Sequence, residues 1–269
     1  MGELRRIPNL AAALTGVLTT LAGPASAQHT GDQSRLVFTV SAAYVAGADL
    51  WHVPDQPVRG GGFDVARAIQ SRAGAAMAAS YFKGENFGLT ADIFIFELAY
   101  ADACRQASPG DELNQLGCID IDEAEHSALA AVFSVGGIFR MASREIVSPF
   151  VRVGAGILAS NQSSILMSGL ATLPGEPGDT PPTLIQVYND DHNARIGGAL
   201  GLGVGLTTPI SSGFQFRLEL RDNILGIEHV EGPSPEGNFN PPHSVDYKHL
   251  VSLIAGIDLV LERHRGRRY

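Results

Sequence analysis

Eight segments of about ten residues, in which apolar side chains alternate with polar or small ones, constrain this chain more than any other feature. They are Arg35–Val45, Ala73–Phe82, Phe87–Tyr100, Ser127–Met141, Pro149–Ala159, Ala194–Leu206, Gly213–Asp222 and Tyr247–Glu262. A period of two sends successive side chains to opposite faces of a sheet, so each segment predicts a strand with one apolar face. Phe214, Phe216, Leu218 and Leu220, for example, alternate with Gln215, Arg217, Glu219 and Arg221. The third segment departs from this: Leu89, Ala91, Ile93 and Ile95 share a parity that runs into Glu97, whereas Phe94, Phe96 and Leu98 take the parity of Thr90 and Asp92. Either a bulge shifts the register near Phe94, or Glu97 lies beyond the apolar layer.

Short links (Lys83–Asn86, Ala142–Ser148 and Thr207–Ser212) alternate strictly with long polar ones. A soluble sandwich has no reason to gather every long loop at one end, whereas a barrel crossing an outer membrane has short turns on one side and long loops on the other. Each segment supplies the ~9–11 residues that a tilted strand needs to cross a bilayer. An open sheet in lipid would leave its edge groups unpaired at several kcal/mol each, so the sheet must close. The expected fold class is all-β: an eight-stranded antiparallel up-and-down transmembrane β-barrel. Tyr81, Phe82, Phe87, Phe139, Phe150 and Phe214 lie beside the short turns, and Tyr44, Phe96 and Tyr100 toward the long loops, where aromatic girdles are expected.

Energetics assign the faces. Arg or Lys on the lipid face near the midplane costs about 2–4 kcal/mol. Arg152, Arg217, Glu219 and Arg221 are therefore expected inside, with Gly154, Gly156, Gly201 and Gly203 making room for them. With eight strands the interior is just wide enough for side chains to fill it. Asp92, Arg152, Arg195, Arg217, Glu219, Arg221 and Asp258 make up the expected lumen polar network, read as a plug of paired charges in preference to a gated path.

Composition narrows the class. With 45% hydrophobic residues, only 17% charged and 31 glycines, the chain has too much apolar surface for disorder. No apolar run after the first reaches 18 residues without charge or glycine, which excludes later membrane helices. The formal charge of −9 argues against nucleic acid as a partner. Residues 1–27 read as a cleaved signal peptide: Arg5 and Arg6, an apolar run from Leu10 to Leu21, then Ala25-Ser26-Ala27 before Gln28. Residues 28–269 would then be the barrel domain. Export permits a disulfide between Cys104 and Cys118; the alternative, a metal pair, lacks further thiols or well-spaced histidines.

Three stretches resemble a known family. Ser148-Pro-Phe-Val-Arg-Val-Gly-Ala-Gly156 and Phe214-Gln-Phe-Arg-Leu-Glu-Leu-Arg221 each follow a short turn, and Leu250-Val-Ser-Leu-Ile-Ala-Gly-Ile-Asp-Leu-Val-Leu261 looks like a closing strand. Together with the spacing from Arg35 to Leu261, they are similar to the small eight-stranded outer-membrane β-barrels of Gram-negative bacteria, the outer membrane protein A type and its relatives. The resemblance implies periplasmic termini, four external loops, outer-membrane lipid and lipopolysaccharide as surroundings, and the barrel-assembly machinery as a partner during biogenesis. Family members end in an aromatic residue on the last strand; here a charged tail from Glu262 to Arg268 precedes Tyr269.

Other motifs point elsewhere. Gly154-Ala-Gly156-Ile-Leu-Ala159 matches a dinucleotide fingerprint, but a Pro-rich stretch follows where a helix is needed. Asp120, Asp122, Glu123 and Glu125, and Asn189, Asp190, Asp191 and His192, have oxygen density for a divalent ion without a known spacing. His229, His243 and Ser244, with Glu228 and Glu231, raise a lipid A-modifying hydrolase. The leading expectation is a non-enzymatic surface or envelope-structural protein that meets a ligand through its loops. A passive channel for small or hydrophobic solutes is the alternative. No catalytic, metal or cofactor site is assigned.

Overall fold

The computed structural model describes residues 34–108, 110–143, 145–173, 181–190 and 195–262. The leader, Asp191, His192 and the tail after Glu262 lie outside the described residues. No described helix is long and apolar enough to cross a membrane.

Twelve strands and one helix are described. The wall is β1 (Arg35–Val45), β4 (Arg72–Phe82), β5 (Phe87–Ser108), β6 (Glu125–Arg140), β7 (Ser148–Ser160), β10 (Arg195–Ser211), β11 (Phe214–Val230) and β12 (His243–Glu262). Each pairs antiparallel with the next, and β12 pairs with β1, so the eight-stranded ring closes. The eight sequence segments coincide with these strands to within a few residues at the short-turn end. At the other end several strands run on, β5 as far as Ser108.

The alternation maps onto the wall as the energetics require. Phe38, Met77, Leu89, Val135, Val153 and Leu202 are among the exposed outward residues, and the parity between them faces in. A continuous apolar exterior of this kind is stable only in lipid. The two readings of the third segment separate here. β5 pairs with β4 and β6 without a register shift, so there is no bulge at Phe94. Glu97 keeps the outward parity above the apolar layer and pairs with Arg72 at 3.8 Å. It is the inner face that changes, from Thr90 and Asp92 to Phe94, Phe96 and Leu98.

The first and third long links and the second are not loose loops. β2 (Ala48–Val58) and β3 (Gly61–Ile69) form a hairpin whose turn, Arg59-Gly60, has positive φ at both residues, as a two-residue turn of this hand demands. β3 pairs with the outer part of β5, end to end with β4. Helix α1 (Glu112–Glu123) starts at Asp111, whose side chain accepts from the Asn114 N–H at 2.8 Å. β8 (Met167–Ala171) and β9 (Thr183–Tyr188) form a second hairpin against α1. Cys104 on β5 and Cys118 on α1 form the disulfide, with Cα atoms 5.3 Å apart. These pieces make a folded cap on the long-loop end.

Candidate functional site

Three layers fill the interior from the short-turn end to the cap. The floor is apolar: Val37, Phe82, Ile138 and Phe150 pack together with Val260. Above it lies a charged layer. The ceiling is apolar again, with Phe94, Phe96, Leu98 and Leu158 of the wall packed in one cluster with Trp51, Phe63, Ile185 and Tyr188 of the cap.

Phe82, Phe150, Phe96 and Tyr100 therefore do not belong to girdles. Each is at most 2% exposed, because it sits on the inward parity; Phe82 follows the outward-facing Tyr81. Tyr44, Tyr81, Phe87, Phe139 and Phe214 do face out.

The charged layer joins six strands. Arg152 on β7 lies 2.5 Å from Asp92 on β5, and the Ser134 hydroxyl of β6 donates to the same carboxylate. Arg221 on β11 reaches Asp92 at 2.9 Å and Glu219 at 2.7 Å. Arg217 forks onto Asp258 of β12 through Nε at 3.0 Å and Nη2 at 3.3 Å, and touches Glu219 at 3.4 Å. The Thr39 hydroxyl donates to Asp258 at 2.7 Å. These side chains are nearly inaccessible, so each charge depends on its partners for what water would otherwise supply.

Arg140 is a member that the sequence reading missed. It continues the inward parity of Ser134 and Ile138, stacks over Phe82 at 4.3 Å and stands 3.7 Å from Asp258. Its Nε and Nη2 are buried without a hydrogen-bond partner among the described residues. Arg195, in contrast, is not in the layer. Its parity is right but it sits at the top of β10, above Ala199–Leu225 where pairing with β11 ends. There it pairs with Asp190 and, at 2.9 Å, with Glu228.

Glycines shape the layer unevenly. A side chain on Gly203 would meet Arg152 Cγ and Glu219 Oε1, each 2.7 Å from the added carbon. Gly201 has nothing within 4 Å, so it stands over open space. Gly154 and Gly156 continue β7 with no helix after them, which removes the setting a dinucleotide site requires.

The cap is held by buried polar stitches. Arg67 on β3 forms a two-pronged pair with Asp102 on β5, at 2.5 and 2.6 Å, and donates to the Leu166 carbonyl at 2.7 Å. Its guanidinium lies against Trp51 and Tyr100, 5.6 and 5.2 Å from the ring centroids. Gln56 accepts from the Tyr188 hydroxyl at 2.9 Å and the Ser234 N–H at 2.8 Å, tying β2 to β9 and to the β11–β12 connection. Burial raises the Tyr188 hydroxyl pKa well above its ordinary value.

Beside these stitches the cap has two cavities of mixed polar and apolar lining, of about 190 and 270 Å³, that share Asp190. A third space, about 50 Å³, notches the wall beside Gly197 and Gly226.

The remaining predicted residues are dispersed. Asp120 accepts from the Leu170 N–H and Asp122 from the Cys104 N–H, so these carboxylates cap backbone. No metal-ligand grouping occurs among the described residues. His229 and Ser244 face each other across β11 and β12, and His243 bonds the Pro241 carbonyl. They lie on the ends of β11 and β12, and no hydrogen bond joins them among the described contacts. Glu228 is engaged by Arg195.

No protein-family model matches this chain, and no curated protein does. Solved structures with a similar fold include Neisserial surface protein A, with 10% identity over 83% of this chain and 96% of that one and a TM-score of 0.43. The attachment invasion locus protein Ail of Yersinia pestis has 13% identity over 86% and 100%, with a TM-score of 0.38. Outer membrane protein OprG from Pseudomonas aeruginosa has 10% identity over 87% and 98%, with a TM-score of 0.48. At these scores the likeness carries no argument about function.

Proposed function

We propose that the chain is an outer-membrane barrel that does not conduct and instead presents a folded, disulfide-tied cap at the cell surface, as a non-enzymatic surface or envelope-structural protein. The observation that carries this reading is the closure of the lumen in three successive layers, apolar, charged and apolar, the last of them continuous with the core of the cap. A hydrated path would need breaks in all three. The export signal read in residues 1–27 and the one-ended placement of the long links support the outer membrane and an outward-facing cap. Lipid and lipopolysaccharide would then surround the belt, and the assembly machinery would insert it.

A channel for apolar solutes finds little support. The notch beside Gly197 and Gly226 has apolar walls from Leu98, Leu158, Ile227 and Val245, but it is small against ligand cavities of ~300–1,000 Å³ and carries the Arg195–Glu228 pair.

The test is conductance of the refolded protein in planar bilayers. No unitary steps are expected; stable steps that vanish in Arg217→Ala overturn the reading. For the hydrolase, lipid A mass spectra from cells with and without the protein are expected to coincide.

A further inference from the structure

We infer that the cap binds a neutral glycan of two or more sugar units, in the paired cavities that meet at Asp190. This deepens the surface reading above and rests on it.

The first cavity is lined by Arg67, His126, Gln162, Ser163, Ser168 and Asp190, with Tyr100 and Leu166 as apolar wall. The second is lined by Asn189, Asp190, Arg195, Asn240 and His243, with Ile165 and Pro241. Each is smaller than the cavity a drug-sized ligand needs, and together they reach that range. Two depressions that share the lining residue Asp190 suit a chain of rings better than one compact ligand.

The chemistry of the lining selects the class. Arg67 is matched by Asp102, and Arg195 by Asp190 and Glu228. A charged ligand would compete with these pairs, whereas a neutral one leaves them intact. Gln162, Ser168 and Asn240 and the imidazoles of His126 and His243 then supply a mixture of donors and acceptors. Sugar hydroxyls each donate and accept, so they use such a mixture fully. The C–H faces of the rings fit Tyr100, Leu166 and Pro241.

The site is also preorganised. Arg67 is almost fully buried, fixed by Asp102 and the Leu166 carbonyl and held between Trp51 and Tyr100. Its Nη1 makes no hydrogen bond among the described contacts and keeps a donor for a ligand. Ser163 donates to Asp190, which orients the carboxylate shared by both cavities. Less ordering entropy is then lost on binding.

Trp51 is the chain's single tryptophan and lies against Arg67, so its fluorescence reports occupancy of the first cavity. The experiment titrates the refolded full chain, in a detergent without sugar headgroups, with lactose, chitobiose and mannobiose, with an uncharged polysaccharide freed from lipopolysaccharide and its acidic core, and with a sulfated disaccharide as the charged probe. A saturable change with at least one neutral saccharide is expected. A response to the disaccharides marks an external glycan, and a response to the released polysaccharide alone marks the cell's own envelope.

Gln162→Ala is expected to weaken binding at least tenfold, since the described bonds of Gln162 are to its backbone and truncation leaves the fold intact. Ser168→Met, which fills the first cavity, is expected to do the same. No saturable response, an unchanged affinity in both variants, or binding of a sulfated disaccharide alone overturns the inference. A silent bilayer without sugar binding sinks the glycan site alone; unitary conductance sinks the surface reading whatever the sugars do.

Discussion

Arg221 reaches across the whole lumen to Asp92, with Nη1 2.9 Å from Oδ2, while its Nε stays 2.7 Å from Glu219 on its own strand. β11 and β5 stand four strands apart whichever way the ring is followed, so this ion pair ties opposite walls. Removing one partner of a buried pair leaves the other charge unsolvated, at about 3–5 kcal/mol. Asp92→Ala is expected to lower barrel stability by that order, read as a fall in the urea midpoint of folding into vesicles. Asp92→Leu combined with Arg152→Met is expected to recover much of the loss, since apolar replacements leave fewer stranded charges.

Two glycines on one strand are expected to respond oppositely. Gly203→Val drives a side chain into Arg152 and Glu219, an overpacking of about 1–3 kcal/mol. Gly201→Ala meets open space and is expected to be neutral or mildly stabilising, since glycine in a strand costs backbone entropy. Parallel folding titrations of the two variants check the contrast.

The charged layer alone does not seal the lumen. Glu219→Ala is expected to destabilise the barrel yet remain silent in planar bilayers, because the ceiling around Phe94, Leu98 and Trp51 still closes the path. Steps in this variant would show that the ceiling is permeable.

The disulfide closes a loop of about fifteen residues, for which chain entropy gives ~3 kcal/mol. That stabilisation falls on the cap, because Cys104 lies beyond the wall register and α1 packs on β8 and β9. Cys118→Ser is expected to expose the cap to protease while the barrel keeps its heat-modifiable gel mobility.

Acid is expected to loosen the tip of the β2–β3 hairpin. The Arg105 guanidinium at 2.5 Å and the Asp55 N–H at 3.0 Å hold the Asp64 carboxyl below its ordinary value. A depressed carboxylate contributes stability above the unfolded pKa of about 4. That contribution is lost as pH falls through the folded pKa. Arg105 is largely exposed, so salt is expected to weaken the effect. Carboxyl NMR of Asp64 from pH 6 to pH 2, with Asp64→Asn as control, tests it.

The wall was legible because parity and lipid energetics speak through every residue of a strand. Arg152, Arg217, Glu219 and Arg221 had one affordable side, and the structure puts them there. Arg140 obeyed the same parity but stood beside a turn, where a charge has an excuse to be solvated. Arg195 failed for the converse reason: parity says which face a residue is on and nothing of its height. The cap was hidden by its own chemistry. β2 contains Pro54 and Pro57 and two register shifts, which read as loop although an edge strand tolerates them. α1 buries Asn114, Gly117, Cys118 and Ile121, a helical spacing in which only one large apolar residue appears. Gly117 is small because Ile185 packs onto it.

The end-to-end placement of β3 and β4 along the single strand β5 has a mechanical meaning. A pull on the cap is not taken up by slack loops; it runs along the β5 axis and loads the hydrogen bonds to β3, β4 and β6 together, in shear. Ladders loaded this way yield in unison, whereas a tether peels bond by bond. A load on the cap is therefore delivered to the barrel wall along β5 as tension, with no flexible link between them to absorb it.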